Sequence, residues 1–234
     1  MFSFIYGVDL KVITLFRSLD LPWIVDYTLF SLSDNHLLKG GVFLALLWWF
    51  WGTPAQQPKN RVTVLAILFA CCFSIAVNQL LKSLAPLRLR PYAADLPGVD
   101  FPYDLGLEHH SSFPSDHAAL FFCLATGLLF ISRKVGALAW AYAILIIALP
   151  RIYLGLHYPS DILTGTAIGV LFAIAIVPTQ IGAALARPFL RWSEMHPASF
   201  YACFFLFTYQ LATLFDDLRA LGTFASVLKD SFLK

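Results

Sequence analysis

Long apolar runs broken by short polar clusters dominate the pattern of this chain. A helix that crosses lipid needs about 20 consecutive, mostly apolar residues. Six stretches qualify, at about 35–52, 61–81, 116–132, 136–155, 161–181 and 198–217. Lipid offers the backbone no hydrogen-bond partner, so each must be an α-helix that closes its bonds internally. The first is short and begins near Lys39-Gly40-Gly41. Ahead of it, residues 8–33 mix apolar positions with Asp9, Lys11, Arg17, Asp20 and Asp26, the pattern of amphipathic segments lying at an interface. An alternative runs part of 22–50 as one long tilted span. The expected fold is all-α: a polytopic membrane helix bundle of about six transmembrane helices. It forms one domain over 1–234, with an interfacial N-terminal segment, 1–34, and a six-helix core, 35–217.

Composition agrees. Of 234 residues, 59% are hydrophobic, 16% aromatic and 13% charged, against roughly 25% charged in an ordinary soluble domain. The net charge of +2 is too small to argue for a nucleic-acid partner. Cys71, Cys72, Cys123 and Cys203 lie in apolar runs, where a thiol behaves as a small hydrophobe and says nothing about redox compartment. Apolar residues at the N-terminus have no basic segment ahead of them and Asp9 comes early, so a cleaved signal peptide is not expected. Trp48, Trp49 and Trp51 read as an interfacial aromatic belt.

Three polar clusters interrupt this background: Lys82…Arg90-Pro91, Pro114-Ser115-Asp116-His117, and Arg151…His157…Asp161. Ionisable groups of this kind are expensive at membrane depth and mark function by default. The first two share the loop between passes two and three, and the third lies between passes four and five. Two crossings separate these loops, so one site can gather all three. Lys59, Arg61, Arg133, Lys134, Arg187 and Arg191 fall in the short loops of the opposite side, which the positive-inside rule makes cytoplasmic. The site then faces outward.

Pro114 with Ser115, Asp116 and His117 ahead of an apolar run is a helix start, whose free N–H groups and dipole attract anions. Lys82, Arg90 and Arg151 add fixed cations, and guanidinium forks match phosphate oxygens. One such cation alone is usually a snorkelling headgroup contact; three meeting a helix N-terminus make a phosphate site. His157 stands four residues before Asp161, with Pro159 in the first turn of the fifth pass. The carboxylate can then orient the imidazole as a nucleophile. His117 sits where a general acid would protonate a leaving oxygen. A lone histidine at a helix end is more often a cap; two at matching entries of one face are not.

These clusters resemble the signature of the type-2 phosphatidic acid phosphatase superfamily: Lys…Arg-Pro, then Pro-Ser-Gly-His, then Ser-Arg, five residues, His, three residues, Asp. The resemblance covers residues 82–161 and implies a six-helix bundle. It also implies a phosphohistidine on His157, oriented by Asp161, with His117 protonating the leaving group. Phosphate would be held by Lys82, Arg90, Ser115 and Arg151 without a metal. The sequence departs from that signature in three places. Seven residues rather than six separate Lys82 from Arg90, Pro150 replaces the Ser before Arg151, and Asp116 replaces Gly. Phe113-Pro114-Ser115-Asp116-His117-Ala118 is similar to the branch of bacterial undecaprenyl-diphosphate phosphatases. A carboxylate at Asp116, beside a phosphate-binding helix end, must point away, pair with a cation, or raise the basicity of His117.

The loop 92–113 carries Asp95, Asp100, Asp104, Glu108, His109 and His110, which keeps a metal-dependent hydrolase as an alternative, yet their spacing matches no standard ligand set. No cofactor and no metal are expected. The reading is an enzyme of the bacterial inner membrane that hydrolyses a polyprenyl diphosphate held in the bilayer. Phosphotransfer to lipid A, and hydrolysis of phosphatidylglycerophosphate or phosphatidic acid, are alternatives with the same chemistry. A non-catalytic transporter or scaffold would need the cations but not His157 and Asp161.

Overall fold

The computed structural model describes residues 2–216 except 20, 55–56, 95, 97–98 and 100–110. Among them the chain is all helical: α1 (Phe2–Arg17), α2 (Trp23–Asp34), a π-turn (Leu37–Gly41) running into α3 (Val42–Gly52), α4 (Gln57–Leu84), α5 (Asp116–Leu129) and α6 (Arg133–Tyr142). A second π-helical stretch (Ala143–Ala148) joins α6 to α7 (Leu149–Tyr153), and α8 (Pro159–Ile176), α9 (Gln180–Met195) and α10 (Pro197–Ala212) follow. Pro58–Leu84, Arg133–Tyr153 and Pro159–Ile176 are long and apolar enough to cross a membrane. Leu37–Gly52 and Asp116–Leu129 are apolar but shorter.

Helix α5 shows why length alone is a poor guide. Its 14 residues rise only about 21 Å at 1.5 Å per residue, yet every residue from Ala118 to Leu128 is buried. It is the central helix, packed by α4, α6 and α8, so its flanks meet protein rather than lipid. A close seam joins α5 to α8. A Cβ on Gly165 would lie 2.4 Å from the Ser115 carbonyl oxygen, and one on Gly169 would lie 2.3 Å from that of Ala119. Only glycine, one turn apart at 165 and 169, lets the two backbones come so close.

Two elements depart from the sequence expectation. Residues 180–195 form the amphipathic helix α9, where a short basic loop was expected at Arg187 and Arg191. It packs on α4 through Gly182 against Ala66 and Phe189 against Phe69. Its hydrophobic residues follow a helical stripe rather than a continuous run, so a search for spans passes over it. The second departure is the widening at Ala143–Ala148. It precedes Pro150, whose ring would crowd the carbonyl four residues back in a regular α-helix.

Candidate active site

The C-terminal end of α4, the N-termini of α5 and α8 and the C-terminal end of α7 converge at one end of the bundle. Ser115 takes the N-cap position of α5, its Oγ accepting from Ala118 N at 3.4 Å. The Ser115 N–H donates to the Asp161 carbonyl at 3.2 Å, which ties the second and third motifs together. Between α7 and α8, Gly155 adopts φ 67°, a left-handed conformation open to glycine. The chain thereby doubles back so that the N–H groups of Leu156 and His157 both donate to the Arg151 carbonyl, at 2.9 and 3.2 Å. His157 is thus held beside Arg151.

A cavity of about 960 Å³ opens at this end, and Lys82, Arg90, Asp116, His117, Arg151 and His157 line it. Ser115 and Asp161, both 0% exposed, are not among its lining residues. Arg151 is buried and its Nη1 donates to the Ile147 carbonyl at 2.9 Å. Arg90 Nη1 donates to the Leu156 carbonyl at 2.9 Å, while its buried Nε has no protein partner. Burial lowers the Arg90 pKa, opposed by Tyr92, Asp116 and Asp161; a guanidinium with a donor to spare in such a place is set to receive an anion.

The resting tautomer of His157 follows from one contact. Its Nδ1 lies 2.8 Å from the Ser112 carbonyl oxygen, and a carbonyl only accepts, so Nδ1 carries the proton and Nε2 keeps its lone pair. Ser112 is itself fixed by its N–H donating to the Arg88 carbonyl at 2.9 Å. The Asp161 carboxylate stands 3.6 Å from Nδ1, close enough to stabilise positive charge on the ring. Its own hydrogen bonds go elsewhere: Oδ1 accepts from Arg88 Nη1 at 2.5 Å and Oδ2 from Tyr158 N at 2.9 Å. Burial lowers the His157 pKa to about 4; Asp161 opposes the shift, and Arg90 and Arg151 add to it. The imidazole is neutral near pH 7.

Asp116, the residue in place of glycine, pairs with a cation. Its Oδ2 lies 2.7 Å from Lys82 Nζ and its Oδ1 accepts from Asn78 Nδ2 at 2.6 Å. The pair neutralises a carboxylate beside the anion-binding helix end.

The chain matches the PAP2 superfamily over residues 63–184, a span that contains all three motifs. YbjG of Escherichia coli (strain K12), a candidate undecaprenyl-diphosphatase, is 31% identical over 177 residues, covering 73% of this chain and 82% of that protein. The chain belongs to the PAP2 superfamily. A lipid A 4'-phosphatase of Bacteroides thetaiotaomicron is 35% identical over 185 residues, covering 72% of this chain and 75% of the relative. The crystal structure of Aquifex aeolicus LpxE aligns with a TM-score of 0.52 at 27% identity, covering 73% of this chain and 94% of that one. The protein is therefore a membrane hydrolase of phosphoric esters or anhydrides, of the metal-independent PAP2 kind.

Several residues of this PAP2 site escape sequence reading. Arg88 bridges Asp161 to Asp9, its Nη2 lying 2.7 Å from Asp9 Oδ2, and its guanidinium covers the Tyr158 ring at 4.0 Å. Asp9 Oδ1 accepts from Ser160 N at 2.9 Å and its Oδ2 from Ser160 Oγ at 2.6 Å. Helix α1 is thus bonded to the first turn of α8. Two signals were available: an aspartate amid the apolar residues of the N-terminal amphipathic segment, and the Arg-Leu-Arg repeat at 88–90. Asp95, Asp100, Asp104, Glu108, His109 and His110, the candidate metal loop, lie outside the described residues. Among the described residues no group of three metal-ligating side chains occurs.

Proposed function

We propose that this PAP2 enzyme hydrolyses a polyprenyl diphosphate, of the undecaprenyl class, to the monophosphate through a phosphohistidine on His157. The observation that carries the chemistry is the Nδ1–H contact to Ser112, which leaves the Nε2 lone pair of a neutral imidazole beside Arg90 and Arg151. Nε2 attacks the terminal phosphorus, the bridging P–O bond breaks, and the lipid monophosphate departs with the electron pair. Positive charge that develops on the ring is stabilised by the Asp161 carboxylate. His117 faces the same cavity and is the group to deliver a proton to a basic leaving oxygen. Water then attacks the phosphohistidine, releasing inorganic phosphate and restoring His157. Lys82, Arg90 and Arg151 bind the phosphate oxygens, and Ser115 shapes the α5 N-terminus behind them.

The name of YbjG supports the diphosphate substrate. A lipid A phosphate is the second reading, favoured by the Bacteroides relative. In either case the lipid tail stays in the bilayer of the bacterial inner membrane, with the site on its outer face. A phosphate-release assay of purified protein over prenyl diphosphate, lipid A and phosphatidylglycerophosphate separates these. A preference for prenyl diphosphate of at least tenfold in kcat/KM is expected; preference for a monoester overturns the reading.

A further inference from the structure

The cavity continues beyond the groups that take the reacting phosphate. Ser33, Asp34, His36 and Lys39 from the end of α2 and the π-turn form a further part of its wall, with Leu214, Phe215 and Asp216 after α10. At about 960 Å³ the space reaches the upper part of the range for whole small-molecule sites, about 300–1,000 Å³. One phosphate does not fill it.

Lys39 is the feature without a function so far. Its side chain lines the cavity although the residue is only 6% exposed. Its ammonium has neither an ion pair nor a hydrogen bond to a described residue. Its backbone is clamped: a Cβ on the next residue, Gly40, would lie 2.0 Å from the Ala212 carbonyl oxygen, so the π-turn is pressed against the end of α10. A lysine buried along its stem, with its ammonium at the cavity and no carboxylate within ion-pair distance, is set to receive an anion. Asp34 and Asp216 act on it only across space, as does Arg151. Its place relative to the two histidines is informative. Lys39 stands one turn before Phe43, whose ring packs on Phe121 at 5.2 Å, and Phe121 in turn lies 6.2 Å from the His117 ring. Lys39 therefore lies toward His117, the leaving-group side.

We propose that Lys39 is the specificity-determining cation of a second anion subsite, which holds the departing phosphate of a diphosphate while His157 attacks the terminal one. The proposal rests on the diphosphate reading above. As the bond from Nε2 to phosphorus forms, the bond from that phosphorus to the bridging oxygen breaks. The electron pair stays on the oxygen, and the leaving lipid monophosphate gains one negative charge. The Lys39 ammonium neutralises it. A monoester, whose leaving group is an alcohol, has no second phosphate for this subsite.

The test compares wild type with Lys39→Met, which keeps the volume and removes the charge. The ratio of kcat/KM for prenyl diphosphate to that for phosphatidic acid is expected to fall at least tenfold. Lys39→Arg should restore part of it. In parallel, inhibition by inorganic pyrophosphate should weaken at least tenfold while inhibition by orthophosphate changes less than threefold. An unchanged ratio, or equal weakening for both inhibitors, overturns the proposal. Should the methionine variant not fold, judged by its gel-filtration profile in detergent, Lys39→Gln carries the same test. A wild type that prefers the monoester refutes the diphosphate reading instead, and the pyrophosphate competition then decides Lys39 alone.

Discussion

At the scale of single residues, the site works by contrast between one neutral base and several fixed charges. His157→Ala removes the proposed nucleophile and leaves Arg90, Arg151 and the α5 N-terminus in place. Turnover should fall by several orders of magnitude while orthophosphate inhibition stays within a few-fold. Residual activity above about a tenth of wild type would assign the attack to another group. The lowered pKa of His157 makes a second prediction. On the proposed mechanism only the neutral ring attacks, so the acid limb of kcat/KM, which reports the free enzyme, should lie nearer 4 than the ordinary 6.5. Stability follows the same sign. The folded value lies below the unfolded one, so this contribution is complete above about 6.5 and declines as pH falls toward 4. An acid limb at 6.5 with a substrate that does not titrate there would show that burial leaves His157 unperturbed. The sequence made His157, His117, Lys82, Arg90 and Arg151 legible as candidates because each sits beside a helix break, and all five line one cavity. It left the ring's proton acceptor hidden, since the Ser112 carbonyl is a backbone atom and any residue type supplies one.

At the scale of elements, helix ends build the site and helix α1 completes it. Asp9 is 1% exposed and spans Arg88 and Ser160. Asp9→Asn keeps an acceptor for the Ser160 N–H but removes the charge facing Arg88, leaving a part-buried guanidinium with one carboxylate fewer. A loss of about 1–3 kcal/mol in stability is expected, the usual size for a disrupted charged hydrogen bond. Turnover should fall about tenfold through Asp161. Measuring kcat together with thermal unfolding checks this; an unchanged kcat would confine α1 to a structural role. Helices were readable from apolar runs wherever these are continuous, as in α4 and α8. They were harder to read in α9, whose stripe is interrupted by Arg187 and Arg191. The expected segment at 116–132 ends at Leu129 because Ser132 caps the next helix, its Oγ accepting from Val135 N at 3.4 Å.

At the scale of the whole molecule, the proposed function gives Lys82, Arg90 and Arg151 the electrostatic work that a divalent ion does in metal-dependent phosphatases. Activity toward prenyl diphosphate should therefore survive exhaustive EDTA treatment with less than a twofold change. Loss that a divalent ion restores would bring His109 and His110 into the site. The all-helical architecture was legible because the lipid environment permits few alternatives, whereas the docking of α1 was not, since it depends on partners far away in the chain. That distance sets an order of events during synthesis. Arg88 lies 79 residues and Ser160 lies 151 residues after Asp9, so α1 leaves the ribosome well before the partners that seat it. Until α8 exists, Asp9 lacks its Ser160 partner and Asp161 has not been made. A nascent chain arrested before residue 160 should accordingly expose α1 to protease, and protection should arrive together with activity.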